Sequence, residues 1–210
     1  MTEPFDLAAL LASHLCHELV GAVGAVVNGI EVLEESGDDP AIRDEALSLV
    51  GASAAEASTR LQFFRLAFGT MGGAEGDFPL GEAARLAAAR FASGRVRLDW
   101  KAAAGLAPKD LVRVVLNLVL VAADSLPRGG RVTVALADGD GPAAEILAEG
   151  DGAALPDHHA AVLAGLAPAA GLPPRAAPAL LADGAARAAG RRILVETPPR
   201  QVVFRIAARD

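Results

Sequence analysis

The chain carries imidazoles at His14, His17, His158 and His159 and a single thiol, Cys16. Of these, His17 has the surroundings of a nucleophile. An imidazole with a pKa near 6.5 is mostly neutral above pH 7, so one ring nitrogen is free to attack. Glu18 follows it directly, and Gly21 and Gly24 come one and two turns later in a helical pattern. At about 100° per residue, His17 lies about 180° from the apolar stripe of its helix and faces solvent. His14 sits about 60° round from it, on the flank of that stripe. A glycine inside a helix costs about 0.5–1 kcal/mol relative to alanine. Two glycines beside an exposed histidine leave room for the backbone of another protein. Ser13, His14, Gly21 and Gly24 therefore read as partner-docking positions around His17. A zinc site on His14 and His17 is disfavoured, because a helical pair normally stands at i and i+4 with a third ligand. His158 and His159 follow Asp157 and read as the exposed start of a helix.

The helix that presents His17 runs from about Phe5 to Glu35, with Leu7, Leu11, Leu15, Leu19, Val23, Val26, Ile30 and Leu33 as its stripe. Ser36-Gly37-Asp38-Asp39-Pro40 ends it, and Asp39 and Pro40 suit the cap and first turn of the next helix. That second helix carries Ala46 or Leu47, Val50, Ala54, Ala57, Leu61, Phe64 and Phe68 at three–four spacing. Each helix is about 45 Å long at 1.5 Å per residue. A lone hairpin of that length leaves much apolar surface bare. Residues 1–74 are therefore expected to form a dimerisation hairpin, two copies making a four-helix bundle. Glycines from Met71 onward mark a linker.

Residues 78–210 alternate helical and strand patterns. Helices are expected at Leu80–Ala92, Lys109–Ser125 and Pro178–Ala189. Strands are expected at Arg95–Trp100, Arg131–Leu136 and Ala144–Ala148, with a closing hairpin of Arg192–Glu196 and Gln201–Ala207. That order predicts an α+β sandwich, helices over one sheet.

A net charge of -7 argues against nucleic-acid binding through bulk charge. One cysteine cannot form an intrachain disulfide, which fits a reducing compartment. The apolar stretch Phe5–Val27 is interrupted by His14, His17 and Glu18, and no basic segment precedes it. A membrane span or secretory signal is not expected, and the reading is a cytoplasmic protein.

Ser13-His14-Leu15-Cys16-His17-Glu18-Leu19, with Val23-Gly24-Ala25 and Asn28-Gly29-Ile30-Glu31, resembles the phosphoacceptor helix of sensor kinases and, more closely, the ChpT family of bacterial histidine phosphotransferases. The resemblance implies that His17 is the phosphoacceptor and Glu18 its acidic neighbour. It also implies a second domain like a degenerate sensor-kinase ATPase. Leu116-Asn117-Leu118-Val119-Leu120-Val121-Ala122 is similar to the metal-binding helix of such domains, but Val121 replaces the second asparagine. Glu149-Gly150-Asp151-Gly152-Ala153-Ala154 does not supply the adenine-reading box. Gly171-Leu172-Pro173-Pro174 lacks the N–H donors of a phosphate loop. No cofactor or metal site is expected on this chain, and Mg2+ is expected to come from a partner receiver domain. The implied partners are a CckA-like hybrid kinase receiver and CtrA-like and CpdR-like response regulators. An ATP-dependent kinase core and a non-catalytic receiver-binding scaffold are the alternatives.

Overall fold

The computed structural model describes residues 4–35, 39–69, 76–101, 105–136, 143–166 and 171–209. The Ser36–Asp38 turn and most of the linker after Met71 lie outside them. Helices α1 (Pro4–Glu35) and α2 (Pro40–Phe68) form the long antiparallel hairpin. Asp39 caps α2 as its side chain accepts from the Ala41 N–H at 3.0 Å, and Pro40 occupies the first turn.

The packing faces of both helices differ from the stripes read by spacing. In α1 the buried and half-buried positions include Leu7, Leu11, His14, Leu15, Glu18, Ala22 and Gly29. Their centre is rotated by about 60° towards His14. The other flank of the apolar arc stays bare: Val20 is 66% exposed, and Val23, Val27 and Ile30 are exposed too. In α2 the inner line is Ala46, Val50, Ser53, Ala57, Arg60 and Phe64, while Leu47, Ala54 and Leu61 face outward. The cause is close approach at Gly29. A Cβ there would lie 2.6 Å from Val50 Cγ2 and 3.4 Å from the Ala46 carbonyl oxygen. Around Gly29 the helices therefore approach closely, with Ala46 and Val50 against it. By length and composition alone α1 is apolar enough to cross a membrane; its inner face packs on α2 instead.

The rest is an α+β sandwich. β1 (Asp77–Pro79) pairs antiparallel with β3 (Leu106–Pro108), and each runs straight into a helix, α3 (Leu80–Phe91) and α4 (Lys109–Asp124). This small ribbon, absent from the sequence reading, sets the two helix starts side by side. The main sheet contains β2 (Val96–Trp100), β4 (Gly130–Leu136), β5 (Ala144–Glu149), β6 (Arg191–Glu196) and β7 (Gln201–Ala208), in the order β2-β4-β5-β7-β6. Only β2 and β4 run parallel; the other pairs are antiparallel. Ala144, Ile146 and Ala148 alternate inward on β5, opposite Val202, Phe204 and Ile206 on β7, beneath α4 and α6 (Ala177–Ala188). The other face is polar, with Arg205 Nε 2.8 Å from Glu145. One wet face is the usual arrangement for an antiparallel sheet. Helix α4 is buried on all sides, and the core continues through it to Phe63, Phe64, Leu66 and Ala67 at the end of α2. The hairpin is therefore anchored in the core of the sheet unit at one end.

Candidate functional site

His17 lies exposed on α1, and with Ala12, Ser13, Cys16 and Val20 it lines a shallow depression. No hydrogen bond to its imidazole is found among the described residues. Ser13 and Gly21 are exposed, and Gly24 is half-buried; a Cβ at either glycine would meet nothing within 4 Å. These four positions make one accessible face, flanked by the bare apolar line of Val20, Val23 and Val27. His17 is therefore about 120° from the packed face, nearer to it than the 180° read from spacing, and it borders uncovered apolar surface.

His14 does not belong to that face. It is 7% exposed, with its ring edge-on to Phe64 at 5.8 Å and tilted to Phe68 at 5.7 Å. The rotation of α1 onto α2 turns it inward, so the position read as docking packs against Phe64 and Phe68 here. Burial pushes its pKa below the ordinary histidine value, against the pull of the Glu18 and Asp124 carboxylates. Its Nε2 is buried without a hydrogen-bond partner.

Glu18 also turns away from His17. Its carboxylate is 2.5 Å from Arg90 Nη2 of α3, with the two side chains 27% and 18% exposed. The Glu18 backbone carbonyl accepts from Arg60 of α2, which also pairs with Glu56 one turn back. The turn carrying the histidine is thus clamped by both the second helix and the sheet unit. Spacing offered no sign of Arg60 or Arg90, which lie 42 and 72 residues from Glu18.

The segment resembling a nucleotide site is differently engaged. Asn117 is fully buried, and its Nδ2 donates to the Ala67 carbonyl at 2.7 Å and the Arg113 carbonyl at 2.9 Å. It joins α4 to the end of α2 through this amide nitrogen, while its Oδ1 is buried without a hydrogen-bond partner. Val121 is fully buried too. Asp151, in the place of the adenine-reading box, pairs with Arg128 at 3.1 Å and Arg200 at 3.8 Å.

The histidines of α5 (Asp157–Leu163) depart from the sequence reading. His159 is 0% exposed and its Nε2 lies 3.3 Å from Asp124 Oδ2; His158 is half-buried, its ring centroid 4.2 Å from that of His159. Neither is surface decoration: α5 packs on α6 and the Pro174–Ala176 turn, and His159 reaches Asp124 at the end of α4.

Residues 80–201 match the family described as the histidine phosphotransferase C-terminal domain. The curated protein phosphotransferase ChpT of Brucella abortus (strain 2308) is 41% identical over 135 residues, 64% of this chain; the match spans 63% of that relative's length. A solved structure of a bacterial phosphotransferase is similar with a TM-score of 0.85, covering 98% of each chain at 31% identity. A histidine kinase domain from Erythrobacter litoralis EL346 is more distant, at 16% identity and a TM-score of 0.48 over 88% of this chain and 92% of that one.

Proposed function

We propose that this chain, which belongs to the histidine phosphotransferase family, carries a phosphoryl group on His17 between the aspartates of two receiver domains in a bacterial phosphorelay. The observation that carries the reading is the exposed, unbonded imidazole on a turn held from behind by Arg60 and Arg90. An unprotonated ring nitrogen of His17 attacks the aspartyl phosphate in line. The N–P bond forms as the bond to the carboxylate oxygen breaks, and the aspartate leaves as a carboxylate. The return transfer reverses these bonds. A receiver would supply the Mg2+ that neutralises the phosphoryl oxygens, and this chain would bring no cofactor to the transfer step itself. Clamping matters because in-line transfer needs the nucleophile held close to its approach direction. Arg90 draws the Glu18 carboxylate away from the incoming phosphoryl group, so no bare negative charge stands beside it.

A CckA-like hybrid kinase receiver as donor and CtrA-like or CpdR-like regulators as acceptors complete the relay. The working unit is a homodimer: the outward lines Val20, Val23, Val27 and Ile30 on α1 and Leu47 and Leu61 on α2 would be covered in a four-helix bundle. Labelled ATP alone and labelled phospho-receiver, offered in turn, test the reading. Acid-labile label is expected only from the receiver, absent in His17→Ala and kept in folded His14→Ala. Label taken from ATP alone would make the chain a kinase. No label from either source would leave a scaffold.

A further inference from the structure

We propose that Asp124, His158 and His159 form a binding site for a first-row divalent cation of the zinc type. Asp124 is the last residue of α4, and the histidines stand in the first turn of α5. One oxygen of the carboxylate and one nitrogen from each ring lie within 4.8 Å of one another. The Asp124–His159 contact at 3.3 Å accounts for only one of the four ring nitrogens. His158 Nε2 and His159 Nδ1 are both buried without a hydrogen-bond partner. A fully buried histidine with an orphaned nitrogen, stacked on a second histidine with another, is costly as a purely structural arrangement. A cation that binds the carboxylate and one nitrogen of each ring offsets part of that cost.

The donor set names the class of ion. Two imidazoles and one carboxylate suit zinc, cobalt and nickel; calcium and magnesium prefer sites built from oxygen. Tetrahedral ligands at 2.0–2.1 Å from zinc are about 3.3 Å apart. The side chains must therefore close by no more than about 1.5 Å from 4.8 Å. The Asp124 side chain is 40% exposed and has room to swing. Its open side also leaves a fourth position for water. The Arg175 charge acts on His158 and opposes a cation, which favours moderate affinity. The ion would staple α5 to the end of α4, and α5 packs on the 3-10 turn Pro174–Ala176 that touches α1. The site is independent of any role for His17.

Cobalt(II) titration of the untagged full chain reads the site through the visible d–d bands of a low-coordinate ion. Cys16→Ser serves as the parent, because Cys16 is an exposed thiol. Saturation at one equivalent per chain, and displacement by zinc, are expected. His158→Ala and Asp124→Asn, both at residues that are not fully buried, should each weaken binding at least tenfold with the circular dichroism unchanged. His17→Ala should leave the titration as it was. Bands that survive both cluster variants, bands that vanish in His17→Ala, or no saturable binding at about 100 µM would each overturn the proposal. Should a cluster variant fail to fold, the other variant and the His17→Ala titration still decide it.

Discussion

Three glycines of α1 behave as two kinds of position, and alanine separates them. Gly21 and Gly24 have open space where a Cβ would stand. Alanine there should stabilise the helix by about 0.5–1 kcal/mol at each site, from backbone entropy alone. For a chain of this size that is an increase of about 2–4 °C in Tm per kcal/mol. At Gly29 the new methyl would sit 2.6 Å from Val50 Cγ2 and 3.4 Å from the Ala46 carbonyl oxygen. Val50 is β-branched and stiff, so the helices must part. Overpacking costs about 1–3 kcal/mol against a propensity gain of about 1 kcal/mol, so Gly29→Ala should be neutral to about 2 kcal/mol destabilising. Thermal denaturation followed by circular dichroism, at fixed protein concentration, measures all three. Phosphoryl uptake from a receiver is read on the same samples. Gly24→Leu should fold and yet lose transfer, because the leucine fills the face beside His17. If Gly21→Ala or Gly24→Ala destabilises by 1 kcal/mol or more, the space is filled in solution and the open-face reasoning fails. Unimpaired transfer by Gly24→Leu would refute the docking face.

His14 titrates with its folded pKa below 6.5, so the unfolded chain binds its proton more readily. Stability should therefore be level above about pH 6.5 and fall below it, by up to about 1.4 kcal/mol per pH unit. His14→Phe should reduce that slope, leaving the part that comes from His158, whose pKa burial also lowers, in urea-denaturation series taken between pH 5 and 7. Asn117→Ala removes the donor to the Ala67 and Arg113 carbonyls and leaves a small void, a loss of about 1–3 kcal/mol in denaturant midpoint analysis. ATP should bind no tighter than millimolar, about -4 kcal/mol, and calorimetry giving micromolar affinity would contradict the engaged Asn117 and Asp151. Leu61→Glu, at an outward position of α2, should convert a sedimenting dimer into a folded monomer.

Local patterns carried most of the fold. The three–four spacing of two long helices, the Asp39-Pro40 cap and the period-two strands read at Ala144–Ala148 and Gln201–Ala207 are features of neighbouring residues, and the structure shifts those strand ends by only one residue. The exposure of His17 was likewise legible, because side-chain direction on a helix follows from position alone. What spacing did not decide was which part of a wide apolar arc would pack. The contact at Gly29 rotated α1 by about 60°, buried His14 and left Val20 and Val23 bare. Chain reversals decided the rest. Arg90 reaches Glu18 across 72 residues, and His159 of α5 meets Asp124 at the end of α4 across 35. Pairings of that range belong to no periodicity. They exist only once the core through α4 has fixed where each element lies, and packing there weighs more than any preference of the residues themselves.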